Sequence, residues 1–319
     1  MTDISVSIVN TNNRDLLLAC LESVRASVTP DIGVEIVVLD NASEDDSVEA
    51  VRARFPDVRL IAQEFRAGFG ANHNRVIRAT TGRYVYVLNE DTASEDWGFA
   101  RMVSEMDARP RVAALGPRLV YPDGRQQHSA WRFPTPAVSL LGLPTLARLG
   151  IAQSKGDRPR SVDWIVGAAL LLRRAALDRV GLFDEDFFIY FEEVDLCRRL
   201  HRGGWEARYF PDVTVIHHES QFSADIPERR INEMWRGRQR YWRKHHSPAG
   251  ARIAALATGA QYLGAAAAGT VRRDGAYRAA MRLHARNAWR VDGPGLRELA
   301  EEWNRRAGVV HGQETLRDP

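Results

Sequence analysis

The chain has 319 residues, 45% of them hydrophobic and 27% charged, with two cysteines and a net charge of +3. That length buries a sizeable core in one large domain or two smaller ones, and the composition is that of a soluble globular protein. So small a net charge gives no argument for nucleic acid as a partner.

The first half of the chain alternates strand and helix. ISVSIVNT (4–11) is β-branched and predicts a strand, and RDLLLACLESVRAS (14–27) carries apolar residues at helical spacing. EIVVLDNAS (35–43) predicts a second strand, and EDDSVEAVRARF (44–55) a helix with an acidic first turn. VRLIAQ (58–63), a helix across 71–80 and YVYVLN (84–89) continue the series. Such alternation implies βαβ units and a parallel sheet, whose ligands bind at the carboxyl ends of the strands. Asn10-Thr11-Asn12, Asp40-Asn41 and Asn89-Glu90-Asp91 all fall at that edge.

Residues 121–161, rich in Pro, Gly and Arg, read as a long irregular excursion of the kind that forms binding loops. A second structured block follows, with VDWIVGAALLLRR (162–174), a short helix to Val180, a helix from Glu192 closed by Gly203-Gly204, and a strand in EARYFPDVTVIHHES (206–220). After Phe222 the character changes to helices of Arg, Ala and Trp, so a boundary is placed near 223. The stretch 253–271 has no formal charge, but it is rich in Ala and Gly and only marginally hydrophobic for a bilayer span. The basic, aromatic stretch 272–290 is suited either to a packed helix pair or to an anionic membrane surface. The N-terminus enters a strand without a charged region leading into an apolar one, so a cytoplasmic location is expected. Cys20 and Cys197 lie in predicted helices and favour buried thiols over a disulfide.

Several residues could carry chemistry. Asp40-Asn41 suits a ribose or base edge, and equally a helix-entry turn. RAGFGANHNR (66–75) places Gly68 and Gly70 before a helix, but the third position of a dinucleotide fingerprint is His73, and the stretch follows the third strand rather than the first. Asn72 and Asn74 there either bind a nucleotide or cap the helix. Asn89-Glu90-Asp91 suits Mg2+ or Mn2+ shared with a diphosphate, or a polar turn. Asp195 precedes Arg198 and Arg199 at helical spacing, so an intrahelical pair is expected. Glu192 and Glu193 follow the aromatic run FFIYF, where desolvation raises a carboxyl pKa towards that of a general base. His217-His218 could ligate a metal or bind phosphate. No nucleophile elbow and no zinc-type Cys/His spacing occurs.

VSIVNTNNRDLLLACLESV, EIVVLDNAS, GFGANHNRVI, YVYVLNEDT, GAALLLRRAALDRVGLFDEDFFIYFEEVDLCRR and FPDVTVIHHES fall in the order seen in family 2 glycosyltransferases. Over residues 4–222 the chain resembles the rhamnosyltransferase-type members that act in cell-wall or surface-polysaccharide synthesis. That resemblance implies an α/β GT-A fold, Rossmann-like, with a mostly parallel central sheet flanked by helices. It would comprise a nucleotide-sugar half (1–120), an acceptor half (121–222) and a C-terminal helical extension (223–319), which membrane contact would suit.

It also implies roles. Thr11, Asp40 and Asn41 would contact the nucleotide with Asn74 nearby, and Asn89 and Glu90 would stand beside Asp91, the expected metal ligand, in place of the family's DxD motif. Asn89 replaces the usual first Asp. Gly167 and Ala168 would line the sugar-diphosphate pocket, and His217 would complete the metal or diphosphate site. Glu193 occupies the position of the catalytic Asp, with Glu192 as the alternative base. The implied cofactor is Mg2+ or Mn2+, the donor dTDP-rhamnose or a UDP-sugar, and the acceptor a glycan or lipid-linked hydroxyl at the inner face of the cell membrane. Two alternatives remain: a catalytically silent sugar-nucleotide-binding scaffold, which Asn89 and Glu193 permit, and a sugar nucleotidyltransferase, which the lack of Gly or Lys in NTNNRD disfavours.

Overall fold

The computed structural model describes residues 2–140, 151–219, 226–271 and 274–309. Strand β1 (Ile4–Asn10) pairs in parallel with both β2 (Val34–Asn41) and β4 (Tyr84–Asn89), and β3 (Arg59–Gln63) extends the sheet beyond β2. Helices α1 (Arg14–Ala26), α2 (Ser47–Arg54) and α3 (Phe69–Arg78) make the crossovers. β1 and β4 are buried on both faces because helices cover both, as a parallel sheet requires. The chain winds outward from β1 to β3 and then returns to the other side of β1, so the order reverses between β1 and β4. A crevice opens at such a switch point, outside the strand ends.

The sheet continues past β4 through β11 (Ala169–Arg173), which is antiparallel, then β6 (Val112–Val120) and β12 (Glu206–His217), and ends at β5 (Thr92–Ala93). Helix α4 (Phe99–Ala108) joins β5 to β6. Two-residue strands β7 (Gln126–Gln127) and β8 (Ala130–Trp131) and the short helix α5 (Pro136–Leu140) occupy the predicted excursion, strand β9 (Arg160–Val162) spans its end, and β10 (Trp164–Ile165) follows it. That segment is therefore more regular than its composition suggested, although its residues 141–150 lie outside the described residues.

Helix α6 (Arg174–Val180) leads to α7 (Glu192–Arg202), which stops at Gly203-Gly204 as predicted, with Gly204 at φ +81°. The predicted helix over 44–55 begins only at Ser47, because Ala42 and Asp46 take left-handed backbone at φ +58°. Cys20 and Cys197 are free and buried.

Four further helices follow: α8 (Pro227–His245), α9 (Pro248–Val271), α10 (Gly275–Trp289) and α11 (Leu296–Arg306). Of the predicted basic stretch, Arg272 and Arg273 lie outside the described residues. Trp235, Tyr241 and Trp242 of α8 join the same buried cluster as Phe183, Phe187 and Leu196. The first of these helices thus shares a core with the sheet. Among the described residues no helix is long and apolar enough to cross a membrane.

Candidate active site

A cavity of about 270 Å³ opens at the switch point. The strand ends put Thr11, Asn41, Asn89, Glu90 and Asp91 in its wall, the turn before β11 adds Gly167 and Ala168, and the start of α7 adds Glu192 and Glu193. His217, at the end of β12, closes that side. Ten of the twelve residues singled out from the sequence therefore meet around one cavity.

Two do not. Asp40 is buried and turned inward, where it accepts hydrogen bonds from Asn10 Nδ2 (3.0 Å) and the Ser43 amide (2.9 Å) and so fixes the turn after β2. Asn74, also buried, donates to the Phe183 carbonyl (2.8 Å) and Glu185 (2.8 Å) and accepts from the Phe183 amide (3.0 Å). It clips the 183–185 segment onto α3, away from the cavity. Its neighbour Asn72 lines the cavity instead.

The Thr11 side is held by an amide network. Asn41 Nδ2 donates to Thr11 Oγ1 (3.0 Å), while Asn41 Oδ1 accepts from Gln63 Nε2 (2.7 Å) and the Ala67 amide (2.8 Å). Gln63 Nε2 also reaches Asn72 Oδ1 (2.9 Å), so both asparagines are locked in orientation. Gly68 is there for closeness: a Cβ would collide with the Phe188 carbonyl oxygen, which accepts from the Phe69 amide (2.7 Å). It needs no dinucleotide to explain it.

On the opposite side, Asp91 Oδ1 lies 3.3 Å from His217 Nε2. Gln127 donates to Glu219 through Nε2 (2.9 Å), so its Oε1 accepts from His217 Nδ1 (2.8 Å). With Nδ1 so engaged, Nε2 faces Asp91 and Asn89, the arrangement of a metal-ligating histidine with its second nitrogen anchored. A carboxylate oxygen and an imidazole nitrogen suit Mg2+ or Mn2+, and two ligands at right angles around such an ion sit ~3 Å apart. Among the described residues no third ligating side chain joins them. An ion held here would need its remaining ligands from substrate and water.

The carboxylates are poorly solvated. Among the described residues Asp91 Oδ1, Glu192 Oε2 and Glu193 Oε2 are buried without a hydrogen-bond partner. Such orphans are rare because each costs about 1–3 kcal/mol, more for a charge. Burial, then the neighbouring Asp91, pushes Glu90 up to about 8. Burial raises Glu193 to about 7, opposed by backbone N–H groups at the helix start. Glu192 is raised well above the ordinary carboxyl range by deeper burial and then by Glu193. Both carboxyls are therefore held above the ordinary range, and Glu193 is poised to lose and regain a proton near neutral pH.

The turn that presents them is strained, with Tyr190 at φ +70° and Phe191 at φ +75°. Left-handed backbone at aromatic residues costs of order 1–3 kcal/mol and persists only where the surroundings enforce it. Here α8 does so: Gly237 lies so close to the Tyr190 carbonyl that a Cβ would collide with it. Behind the turn, Asp195 accepts from Arg199 Nε (2.8 Å), His245 Nε2 (2.7 Å) and Lys244 Nζ (2.8 Å). Burial alone would raise its pKa, but these partners win and lower it to about 2. The expected intrahelical pair exists and extends into α8.

The remaining wall comes from residues that no motif pointed to. Leu296, Leu299 and Ala300 of α11 line the cavity, as do Arg66 and Phe188. Helix α11 runs from Arg297, stacked on Phe188 at 5.5 Å, to Asn304, which accepts from the Arg66 amide (2.7 Å) and donates to the Arg66 carbonyl (3.0 Å). Trp303 stacks on the Arg66 guanidinium at 4.4 Å. The C-terminal helices are therefore part of the site. No local pattern announces pairs so far apart in the chain.

The profile of Glycosyl transferase family 2 matches residues 5–181. Over 219 residues the chain is 34% identical to the N-acetylglucosaminyl-diphospho-decaprenol L-rhamnosyltransferase of Mycobacterium tuberculosis, an alignment spanning 61% of this chain and 69% of that one. It is 25% identical over 227 residues to Rhamnosyltransferase WbbL of Escherichia coli, spanning 67% and 82% of the two chains. A mannosyltransferase from Pyrobaculum calidifontis, solved in complex with GDP-Man and Mn2+, superposes with a TM-score of 0.59 at 21% identity, covering 89% of this chain and 85% of that one. At that identity the likeness is one of fold.

Proposed function

The chain belongs to Glycosyl transferase family 2 and has a rhamnosyltransferase-like sequence on a GT-A fold, and from that premise we propose that it is an inverting transferase moving a sugar, rhamnose from dTDP-rhamnose, to a hydroxyl of a lipid-linked acceptor in surface-polysaccharide synthesis. The observation that carries this reading is a buried carboxylate oxygen without a hydrogen-bond partner on either side of one cavity: Asp91 Oδ1 beside His217, and Glu193 Oε2 at the start of α7.

Asp91 and His217 would hold Mg2+ or Mn2+, which when bound would offset charge developing on the departing diphosphate. Thr11, Asn41 and Asn72 offer hydrogen-bonding groups to the nucleoside end, pre-oriented by Gln63. Glu193 takes the proton of the acceptor hydroxyl at a carboxylate oxygen as that hydroxyl attacks the anomeric carbon. One base and one displacement invert the configuration. Glu192, its carboxyl pKa raised by burial and then by Glu193, makes a second negative charge beside the incoming nucleophile less favourable.

Release of the nucleoside diphosphate in the presence of acceptor tests this. Glu193→Gln should lower kcat by about 10²–10⁴-fold while the donor still raises Tm as in the wild type. Wild-type turnover in that variant would remove Glu193 from the reaction.

A further inference from the structure

Helix α9 (Pro248–Val271) has no formally charged residue from Ile253 to its end, yet it is not buried. Ile253, Leu256, Ala260, Leu263, Gly264 and Ala267 recur at helical spacing and all are exposed. Soluble helices normally place charge on such a face, and contiguous exposed apolar surface marks an interaction site. The other face is occupied: Ala254 and Thr258 are buried, and Tyr262 packs against Trp235 and His284.

Helix α10 (Gly275–Trp289) runs antiparallel to α9, with Gly269 against Tyr277 and Gly259 directly under Trp289. Close glycine contacts bring the two helices together as a hairpin. Yet Trp289, which covers Gly259, remains 56% exposed, and Leu256 is 58% exposed. Seven large hydrophobic residues are exposed among the described residues, and every one but Val28 lies on this hairpin or at Leu140, the end of the α5 helix packed against it. The apolar exposure of the molecule is therefore concentrated in one place.

The charge around that patch has one sign. Residues 248–290 contain seven arginines and one aspartate, an excess larger than the net +3 of the whole chain. Arg252, Arg282, Arg286 and Arg290 are exposed, and the lone acid, Asp274, serves as the N-cap of α10 by accepting from the Tyr277 amide (2.9 Å). Arg286 and Arg290 have acidic partners outside the segment, Glu228 at 3.9 Å and Asp292 at 2.5 Å. Arg252 and Arg282 have no ion pair among the described residues.

We propose that the α9–α10 hairpin is a docking surface for an anionic lipid bilayer, lying flat in the headgroup region rather than crossing it. An uncharged helical face inserts its leucines at the acyl boundary, the amphipathic rings of Trp289 and Tyr277 sit at headgroup depth, and the arginines meet lipid phosphate. A second copy of this chain fits less well, because a two-fold contact through this face would set arginine against arginine. The surface deepens the proposed function, since a lipid-linked acceptor would then be met at the membrane plane, and to that extent it rests on that reading. Binding itself needs only the hairpin.

Flotation of the full chain with vesicles of phosphatidylcholine, with and without about a third phosphatidylglycerol, tests it, with nucleoside diphosphate release to a water-soluble acceptor analogue measured in parallel. Wild type should float with the anionic vesicles only, and release from them as salt is raised from 0.1 to 0.5 M, roughly the range over which the screening length halves. Leu256→Glu with Leu263→Glu, and separately Arg252→Glu with Arg282→Glu, should each lower partitioning at least tenfold, with Tm and soluble transfer unchanged. Vesicle binding without soluble transfer would sink the proposed reaction and leave the docking surface standing. Transfer without vesicle binding would do the reverse. A wild-type dimer that the leucine pair dissociates, with no vesicle binding, would hand the face to a second copy.

Discussion

Helices α8 and α11 and helices α9 and α10 come from the same last third of the chain and draw on the same residues, arginine, alanine and tryptophan. Their fates are opposite. α8 buries Trp235, Tyr241 and Trp242 completely and presses Gly237 against the strained turn that carries Glu192 and Glu193. α11 lays Leu296, Leu299 and Ala300 along the cavity and ties its far end to Arg66. α9 and α10 leave leucine, isoleucine and tryptophan in the open. Composition does not decide between these roles; position does. A glycine facing a carbonyl serves the site, and a glycine facing nothing, such as Gly264, serves only the surface.

If that division is real, perturbations should separate along it. The largest effect is expected at Asp195, whose removal would leave Arg199, His245 and Lys244 without their shared carboxylate. Asp195→Ala should lose about 3–5 kcal/mol in denaturant unfolding, as when one partner of a buried ion pair is deleted. A loss under 1 kcal/mol would mean that α8 is not anchored through this group.

Next is Gly237→Ala. The added methyl must displace the Tyr190 carbonyl, so about 1–3 kcal/mol of stability should go, together with a several-fold fall in kcat. An unchanged kcat would separate α8 from catalysis.

The pH dependence comes third. With Glu193 raised to about 7, kcat/KM should be half-maximal near that pH and fall about tenfold, or ~1.4 kcal/mol, per unit below it. Vesicle binding, which depends on arginine, should not change between pH 6 and 8. Stability moves the opposite way. A carboxyl whose folded pKa exceeds its unfolded value stabilises the fold at low pH and loses that contribution as pH rises through about 7. Glu193→Gln should therefore gain in Tm relative to wild type from pH 5 to 8.

The smallest effect is the control. Gly264→Ala meets nothing within 4 Å in a helix interior, so it should stabilise by about 0.5–1 kcal/mol and leave turnover untouched. A kinetic defect there would erase the line between the two helix pairs.

Much of the sheet was legible because buried parallel strands are written as short runs rich in β-branched and apolar residues that end in polar ones, as at Asn10, Asn41 and Asn89. At Asp40 and Asn74 the same signal marks polar groups that also turn inward to hold a loop. The raised pKa expected for the Glu192–Glu193 pair followed from the aromatic run before it, and burial supplies it. Arg66 and Leu299 were invisible for a different reason. Their roles arise from a contact between segments far apart in sequence, and neither segment is unusual alone.

That contact also has a consequence in time. Asn304 closes on Arg66 across 238 residues. At the usual pace of synthesis those residues take roughly ten to fifty seconds to make, during which strands β1 to β4 already have what they need to pair. A nascent chain thus acquires Asp91 and Glu193 before the wall that encloses them. A product cut short after α10 would carry both carboxylates in a cavity without that wall, so the synthesis of α11 sets when the cavity is complete.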